Sequence, residues 1–291
     1  MDMNTIDYEE IPHSCMLQMQ AVYENLKTAE RKAADYLLAR PREVVDLSIV
    51  DFAGRAGCSE ATIVRLSKKL GYEGYPELKR DFAAHHEGDH VQEYQNIGDA
   101  DGPEEILRKV FEASVQGIQD TLAMIDGEAY GKAVEVLLRS RRVMFTGAGD
   151  AGVVAMEAYQ RFLRIGVNSL FSSDTDTQLI MASQLKEGDV LFAISHSGRT
   201  KSIVDVVKTA RENGATCIAL TNFPVSPLTK KCHIILQTAV FSKHITGEVM
   251  SKRITALCLI ESLYINYLKH ADPDKKECLK RSNEIVSINK L

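Results

Sequence analysis

The chain has 291 residues, of which 45% are hydrophobic and 26% charged, and its formal net charge is −5. These values are typical of a soluble globular protein with room for two domains, and they exclude a protein coated in basic charge. A local basic face would still suffice for DNA binding. No apolar run approaches the roughly 18 residues of a membrane-spanning helix, and residues 1–10 lack a signal-peptide pattern. We therefore expect a cytoplasmic protein with no membrane partner.

The six cysteines are scattered and form no C-x-x-C pair. In a chain of this length such spacing favours reduced, mostly buried thiols over disulfides or metal ligands. This spacing therefore predicts no metal site, and we also expect no cofactor.

Residues 1–84 form the first predicted domain, in which short helices alternate with tight turns. A first helix is predicted over 28–39, with Thr28 as its cap and Pro41 as its stop. Ser48 caps a second predicted helix, 49–56. Gly57 then makes a turn, and Ser59 and Gly71 bound a third helix, 60–70. Two helices joined by a short glycine-containing turn are typical of a helix-turn-helix.

The helix predicted over 60–70 has one apolar face and one polar face. Ile63, Leu66 and Leu70 are expected to pack inward. A recognition helix needs short polar residues and Arg for base edges and Lys for phosphates. The residues predicted to meet DNA are Ser59, Glu60, Thr62, Arg65, Lys68 and Lys69. From this pattern alone, an ordinary solvated amphipathic helix remains an equal alternative.

Residues 85–102 are polar, acidic and rich in glycine, which is typical of a domain linker. From residue 103 the pattern changes to helices over 104–125 and 128–138, followed by alternating strands and helices. Strands are predicted over 142–146, 167–171, 189–194, 216–220 and 233–236, and helices over 153–163, 177–185 and 202–213. Helices over 248–270 and 274–288 close the chain. The fold class predicted for 103–291 is a doubly wound α/β sandwich with a parallel five-stranded sheet.

Two loops follow strands of this sheet and lead into helices. The first is Gly147-Ala148-Gly149, and the second runs from Ser195 to Thr200. Small residues let a backbone approach a ligand, and a helix N-terminus attracts an anion. In the flavodoxin-like strand order 2-1-3-4-5 both loops flank the topological switch point, so a phosphate site is predicted there.

These loops have two other interpretations. A dinucleotide site would need a third glycine in register and an acidic residue for the ribose, and Ser172-Ser173-Asp174 offers a poor one. Helix capping could explain the hydroxyls of Ser195, Ser197 or Thr200. One hydroxyl would serve as a cap, so three around Gly198 favour a ligand.

These residues resemble two known domains. Ser195-His196-Ser197-Gly198-Arg199-Thr200, with Gly147 and Gly149 upstream and Ala219-Leu220-Thr221-Asn222 and Ser226-Pro227-Leu228 downstream, is similar to a SIS (sugar isomerase) domain. The stretch from Ser59 to Tyr72, followed by Gly74-Tyr75 and Glu77-Leu78-Lys79, resembles the helix-turn-helix of RpiR-type regulators. The resemblance covers nearly the whole chain.

The resemblance implies a homodimeric or homotetrameric transcriptional regulator of carbohydrate genes, with a phosphosugar as effector and a palindromic double-stranded operator as partner. It is expected to be no enzyme and to have no catalytic residues. The effector residues that it implies, with the loop glycines, are Gly147, Gly149, Ser172, Ser173, Ser195, His196, Ser197, Gly198, Arg199, Thr200 and Glu248. The sequence identifies neither the sugar nor the direction of its effect on DNA binding.

The chain departs from the SIS pattern at two positions. Ala151 stands where a serine is common, and His233 stands where an aspartate is usual. The alternative function is a SIS-type sugar-phosphate isomerase or lyase, which would need a positioned base. Glu248, His196, His233 and His244 are the candidates, and the sequence places no pair of them together.

Overall fold

The computed structural model describes residues 22–87, 101–239 and 252–289, together with residues 11, 12, 15, 18, 19 and 97. The chain divides into two compact units, Met1–Asn96 and Ile97–Leu291. Most of the predicted linker, 85–102, lies outside the described residues, so its limits stay a prediction. Within the described residues, no helix is both long enough and apolar enough to cross a membrane.

The described part of the N-terminal unit is helical. Its helices are α1 (Thr28–Ala39), α2 (Pro41–Asp46), α3 (Ile49–Ala56), α4 (Glu60–Lys69) and α5 (Tyr75–Glu87). They enclose one apolar core, in which Leu37, Phe52, Ile63, Leu66 and Phe82 are fully buried. The helix-turn-helix pattern of the sequence is therefore present as α3, a turn and α4.

Three local expectations can be compared with these helices. Ser48 accepts a hydrogen bond from the Asp51 amide, as predicted for the start of α3. The cap of α1 was predicted wrongly, because Thr28 is already helical and the N-cap is Lys27, whose amide donates to Glu30 Oε2 (2.9 Å). Pro41 does end α1, and it also begins α2, since proline suits the first position of a helix.

The C-terminal unit is an α/β sandwich. Its helices are α6 (Pro103–Met124), α7 (Gly127–Arg139), α8 (Asp150–Arg164), α9 (Thr175–Ser183), α10 (Lys201–Glu212), α11 (Lys252–His270) and α12 (Pro273–Ser287). Its strands are β1 (Arg142–Thr146), β2 (Ser169–Leu170), β3 (Asp189–Ile194), β4 (Thr216–Thr221) and β5 (Ile234–Gln237). All pair in parallel in the order β2-β1-β3-β4-β5, which confirms the predicted topology.

The sheet is covered on both faces. Alternate strand residues such as Phe145 and Phe192 pack against α7, α8 and α11, while Met144 and Leu191 pack against α9 and α10. Strand β2 is shorter than the predicted 167–171, because this edge strand pairs only through Ser169 and Leu170 with β1. Burial of both faces explains why the inner strands are continuous apolar runs in the sequence.

Candidate functional site

The two predicted loops leave the same edge of the sheet side by side. Strands β1 and β3 are neighbouring parallel strands, and Thr146 pairs with Ala193 at their carboxyl ends. Gly147 and the loop that begins at Ser195 therefore start next to each other, and each leads into a helix, α8 or α10. This is the crevice where ligands of doubly wound sheets bind.

Glycine is required at two points of this edge by close contacts. A Cβ on Gly147 would lie 2.5 Å from the Ala151 carbonyl oxygen, which is backbone and cannot move aside. Gly198 has a φ of +62°, and a Cβ there would lie 2.2 Å from Ser226 Oγ. The loop at Gly198 is thus pressed against the segment that follows β4.

That segment holds the Ser195–Thr200 loop by hydrogen bonds. The Asn222 amide and the Thr221 hydroxyl both donate to the His196 carbonyl oxygen, at 3.0 and 3.2 Å. The Leu228 amide donates to the Gly198 carbonyl oxygen at 3.1 Å. The position of the loop is therefore fixed by its neighbours as well as by its own turn.

The three hydroxyls of the loop differ in exposure. Ser195 is buried and its Oγ donates to Thr200 Oγ1 (3.3 Å), whereas Ser197 is exposed and accepts from the Arg199 amide (3.2 Å). Thr200 is the N-cap residue of α10, and among the described residues it makes no side-chain cap hydrogen bond. Within the described residues, the hydroxyl of Thr200 therefore does not cap α10.

The other predicted ligand residues lie on the first loop and after β2. Gly149 is the N-cap residue of α8, with a φ of +57°, and is exposed. Ser172 is half-buried and accepts from the Asp174 amide (3.1 Å), and Ser173 is exposed. Glu248 lies outside the described residues, so its predicted role stays a prediction.

Gln178 is a positioning residue that the sequence pattern does not single out. Its buried side chain accepts from the Thr146 hydroxyl (2.8 Å) and donates to the carbonyl oxygens of Gly147 (3.2 Å) and Ser172 (2.8 Å). It thereby connects the end of β1 with the loop after β2. The one feature of the sequence that could have identified this role is a glutamine within the apolar pattern of α9.

His233 lies at the opposite end of the strands from these loops. Its Nδ1 accepts from the amide of Cys217, which is near the start of β4, at 2.9 Å. Partial burial and then the charge of Arg211 lower the pKa of His233, which agrees with its role as an acceptor. His233 thus accepts a backbone hydrogen bond, as an aspartate at this position could. Because it lies at the opposite end of the strands, it is too far from the two loops to act as a base there.

Helix α4, the predicted recognition helix, begins after a tight turn. Gly57 ends α3 in the left-handed region, with a φ of +65°, so the turn favours a residue without a Cβ. Ser59, Glu60, Arg65 and Lys68 are exposed, as predicted for residues that meet DNA.

Two of the residues assigned to DNA have other roles in the unit itself. Thr62 is only 2% exposed, and its hydroxyl lies 2.9 Å from Ser59 Oγ and accepts from Arg65 Nη2 (3.1 Å). Its expected place near the outward face was therefore wrong. Lys69 Nζ donates to Glu30 Oε2 on α1 at 2.7 Å. Arg65, Lys68 and Lys69 are therefore the exposed basic side chains on α4, and Lys69 also forms an ion pair within the unit.

Comparison with known proteins agrees with this architecture. The profile described as "Helix-turn-helix domain, rpiR family" matches residues 14–86, and the SIS domain profile matches residues 136–266. An HTH-type transcriptional regulator of Caldanaerobacter subterraneus is 34% identical over 263 residues, which are 90% of this chain and 93% of that protein. HexR, an HTH-type transcriptional regulator of Pseudomonas aeruginosa, is 30% identical over 92% of this chain and 93% of its own length.

A solved structure is also similar over most of the chain. It is the NanR protein of Vibrio vulnificus in complex with ManNAc-6P, with a TM-score of 0.62 and 26% identity. The match covers 95% of this chain and 100% of the NanR chain.

Proposed function

The chain belongs to the RpiR family of helix-turn-helix transcriptional regulators with a SIS domain, and we propose that a phosphorylated sugar controls its binding to operator DNA. The ligand's phosphate binds at the Ser195–Thr200 loop and the start of α10. The observation that carries this proposal is the fixed loop around Gly198, whose hydroxyls stand at a helix N-terminus beside the first glycine loop.

The proposed phosphate contacts come mainly from the Ser195–Thr200 loop. The Ser197 and Thr200 hydroxyls donate to phosphate oxygens, and Ser195 donates to Thr200 Oγ1. The amides of Gly198 and Arg199 donate to the Ser195 carbonyl oxygen and to Ser197 Oγ in this structure, so they reach the phosphate only by exchanging or sharing these bonds. Ala151 contributes no hydroxyl at the first loop, so the contacts there come from backbone. In this proposal Ser172 and Ser173, which follow β2, bind a hydroxyl of the sugar.

DNA is bound by α4 in the major groove. Arg65, held by Thr62, reads a base edge, and Lys68 contacts phosphate. The ligand changes DNA affinity only if it binds two conformations of the protein with different affinities. The similarity to NanR, which was solved with ManNAc-6P, supports a sugar phosphate as this ligand.

We further propose that the site binds its ligand without turnover. Of the four candidate bases, His233 is at the wrong end of the strands, and His196 lies in the loop itself and is half-buried. Glu248 and His244 lie outside the described residues, so they do not bear on this proposal. The relatives compared above carry the names of regulators.

A gel shift with the DNA upstream of the chain's own gene tests the proposal. We expect a specific complex that weakens with salt and that responds to at least one member of a phosphosugar panel. The Ser197→Ala variant should lose this response, and Ser183→Ala, at the far end of α9, should keep it. No specific shift would contradict DNA control, and conversion of fructose 6-phosphate or a related sugar phosphate would favour the enzyme.

A further inference from the structure

Three polar side chains lie at every third position from the start of α4. Ser59 is the N-cap residue, and Thr62 and Arg65 follow in the first two turns. Residues three positions apart are neighbours on the surface of a helix. The Thr62 hydroxyl lies 2.9 Å from Ser59 Oγ and accepts from Arg65 Nη2 at 3.1 Å. The three side chains are therefore connected by hydrogen bonds, and we call them the α4 triad.

The chemistry of arginine fixes the direction of these hydrogen bonds. A guanidinium group only donates, so the Thr62 oxygen is the acceptor in its bond with Arg65. Thr62 is 2% exposed, and within the described residues Ser59 Oγ is the one acceptor that its own hydroxyl proton reaches. Because an unpaired proton on a buried hydroxyl is costly, Thr62 donates to Ser59.

This direction also accounts for the side chain of Ser59. Serine is among the preferred N-cap residues, yet the Ser59 side chain makes no cap hydrogen bond to α4 within the described residues. Its oxygen accepts the Thr62 proton instead. Since Ser59 is exposed, its own proton points to a partner outside the unit, and a DNA phosphate oxygen at a helix N-terminus is such an acceptor.

Thr62 restricts the direction in which Arg65 points. Arg65 is exposed, and ordering a long exposed side chain on binding costs conformational entropy. The bond from Nη2 to Thr62 orders the guanidinium before DNA is bound. In the major groove, guanine presents two acceptors, N7 and O6, whereas adenine presents one acceptor and one donor. A side chain that only donates, held in one direction, therefore selects guanine.

We propose that the α4 triad sets base specificity: Thr62 is a positioning residue that directs Arg65 to one guanine of the operator, and Ser59 donates to a neighbouring phosphate. This inference rests on the proposed DNA contact of α4. It adds the base that is read and a buried residue on which the reading depends. Thr62 itself acts only through Arg65, because it is buried.

A scan of operator base pairs tests the role of Thr62. In the footprinted DNA upstream of the chain's own gene, each G·C pair is replaced in turn by A·T, and affinities are measured by fluorescence anisotropy. The wild type should prefer G·C about tenfold or more at the position that Arg65 reads, and Arg65→Ala should lose the preference at that position alone. Thr62→Val should reduce the preference there to about twofold or less, and Thr62→Ser should restore it.

The position of the loss separates a positioning role from a structural one. A less stable α4 would weaken binding to every operator by the same factor and leave each preference unchanged. The matched control is Ser67→Ala, which removes another buried hydroxyl of α4, a donor to the Ile63 carbonyl oxygen at 3.0 Å, and it should change no preference. Ser59→Ala should weaken binding to all operators alike and keep the preference at the Arg65 position.

The outcomes distinguish this inference from the proposed function. If Thr62→Val keeps the preference that Arg65→Ala loses, or if Thr62→Ser does not restore it, the role of Thr62 is overturned while the DNA contact of Arg65 stands. If Arg65→Ala loses no guanine preference at any position, the base contact is overturned as well. The absence of any specific complex with the wild type would contradict the proposed function and this inference together.

Discussion

Lys69 in the last turn of the recognition helix forms an ion pair with Glu30 on α1, and their Nζ and Oε2 atoms are 2.7 Å apart. Glu30 is 3% exposed and also accepts the Lys27 amide, while Lys69 is 38% exposed. Burial alone would raise the pKa of Glu30, but the hydrogen bonds and charges of Lys69 and Lys27 lower it overall. The ion pair therefore fixes the C-terminal end of α4 to α1.

This ion pair predicts that adjacent lysines act differently on DNA. Lys68→Gln should reduce the slope of log affinity against log salt by about 1, since one phosphate contact is lost. Lys69→Gln should leave that slope unchanged and weaken binding several-fold, because α4 loses its support. Glu30→Gln should reproduce the Lys69→Gln effect, and a reduced slope in Lys69→Gln would contradict this role.

The pKa of Glu30 sets the pH range in which the pair acts. Because the folded-state pKa is below the usual value of about 4.3, the stabilisation is present above that value and is lost as pH falls through the lowered pKa. We expect the effect of Glu30→Gln on the free energy of unfolding to be constant between about pH 6 and 8 and to shrink in acid. Urea unfolding of both proteins at several pH values measures this.

Gly198 should tolerate no side chain. Gly198→Ala places a Cβ at a positive φ and against Ser226 Oγ, so we expect a loss of more than about 3 kcal/mol in unfolding free energy. Gly188→Ala is the matched control, because Gly188 also has a positive φ, +83°, but a Cβ there would meet none of the described atoms within 4 Å. It should cost only about 1–2 kcal/mol. Equal losses would mean that the contact with Ser226 is unimportant.

Gln178 should matter for both stability and the ligand response. Gln178→Leu leaves the carbonyl oxygens of Gly147 and Ser172 without this donor, and each unsatisfied buried group costs about 1–3 kcal/mol. We expect a loss of about 2–4 kcal/mol in urea unfolding and a weaker phosphosugar response. Gln184→Leu, at the exposed end of the same helix, should change neither quantity.

Much of this arrangement could be predicted from the sequence. The limits of β1 and β3 and the turn at Gly57 follow from apolar patterns and glycine positions, whereas the strand order follows from the flavodoxin-like fold class expected for alternating strands and helices. Gly198 is recognisable as a turn residue, but its contact with Ser226 joins residues 28 positions apart and has no local signal.

The errors have the same physical origin. A helical wheel places Thr62 near the outward face of α4, whereas Thr62 is buried and contacts Ser59 and Arg65. The ion pair of Lys69 with Glu30 likewise has no signal in the sequence, and a DNA contact by Lys69 stays a prediction. Gln178 was missed because its partners, Thr146, Gly147 and Ser172, lie on other elements. Side-chain hydrogen bonds between distant residues leave no periodic pattern to detect.

The central claim is that the Ser195–Thr200 loop binds a sugar phosphate and that helix α4 binds DNA. Fluorescence anisotropy of labelled operator DNA, titrated with wild type, Ser197→Ala and Arg65→Ala with and without the active phosphosugar, tests it most directly. We expect Ser197→Ala to keep its DNA affinity within about twofold and to lose the sugar response, because it removes only a ligand contact. Arg65→Ala should lose about 1–3 kcal/mol of DNA binding and retain thermal stabilisation by the sugar. Equal loss of both properties in Ser197→Ala would contradict the account.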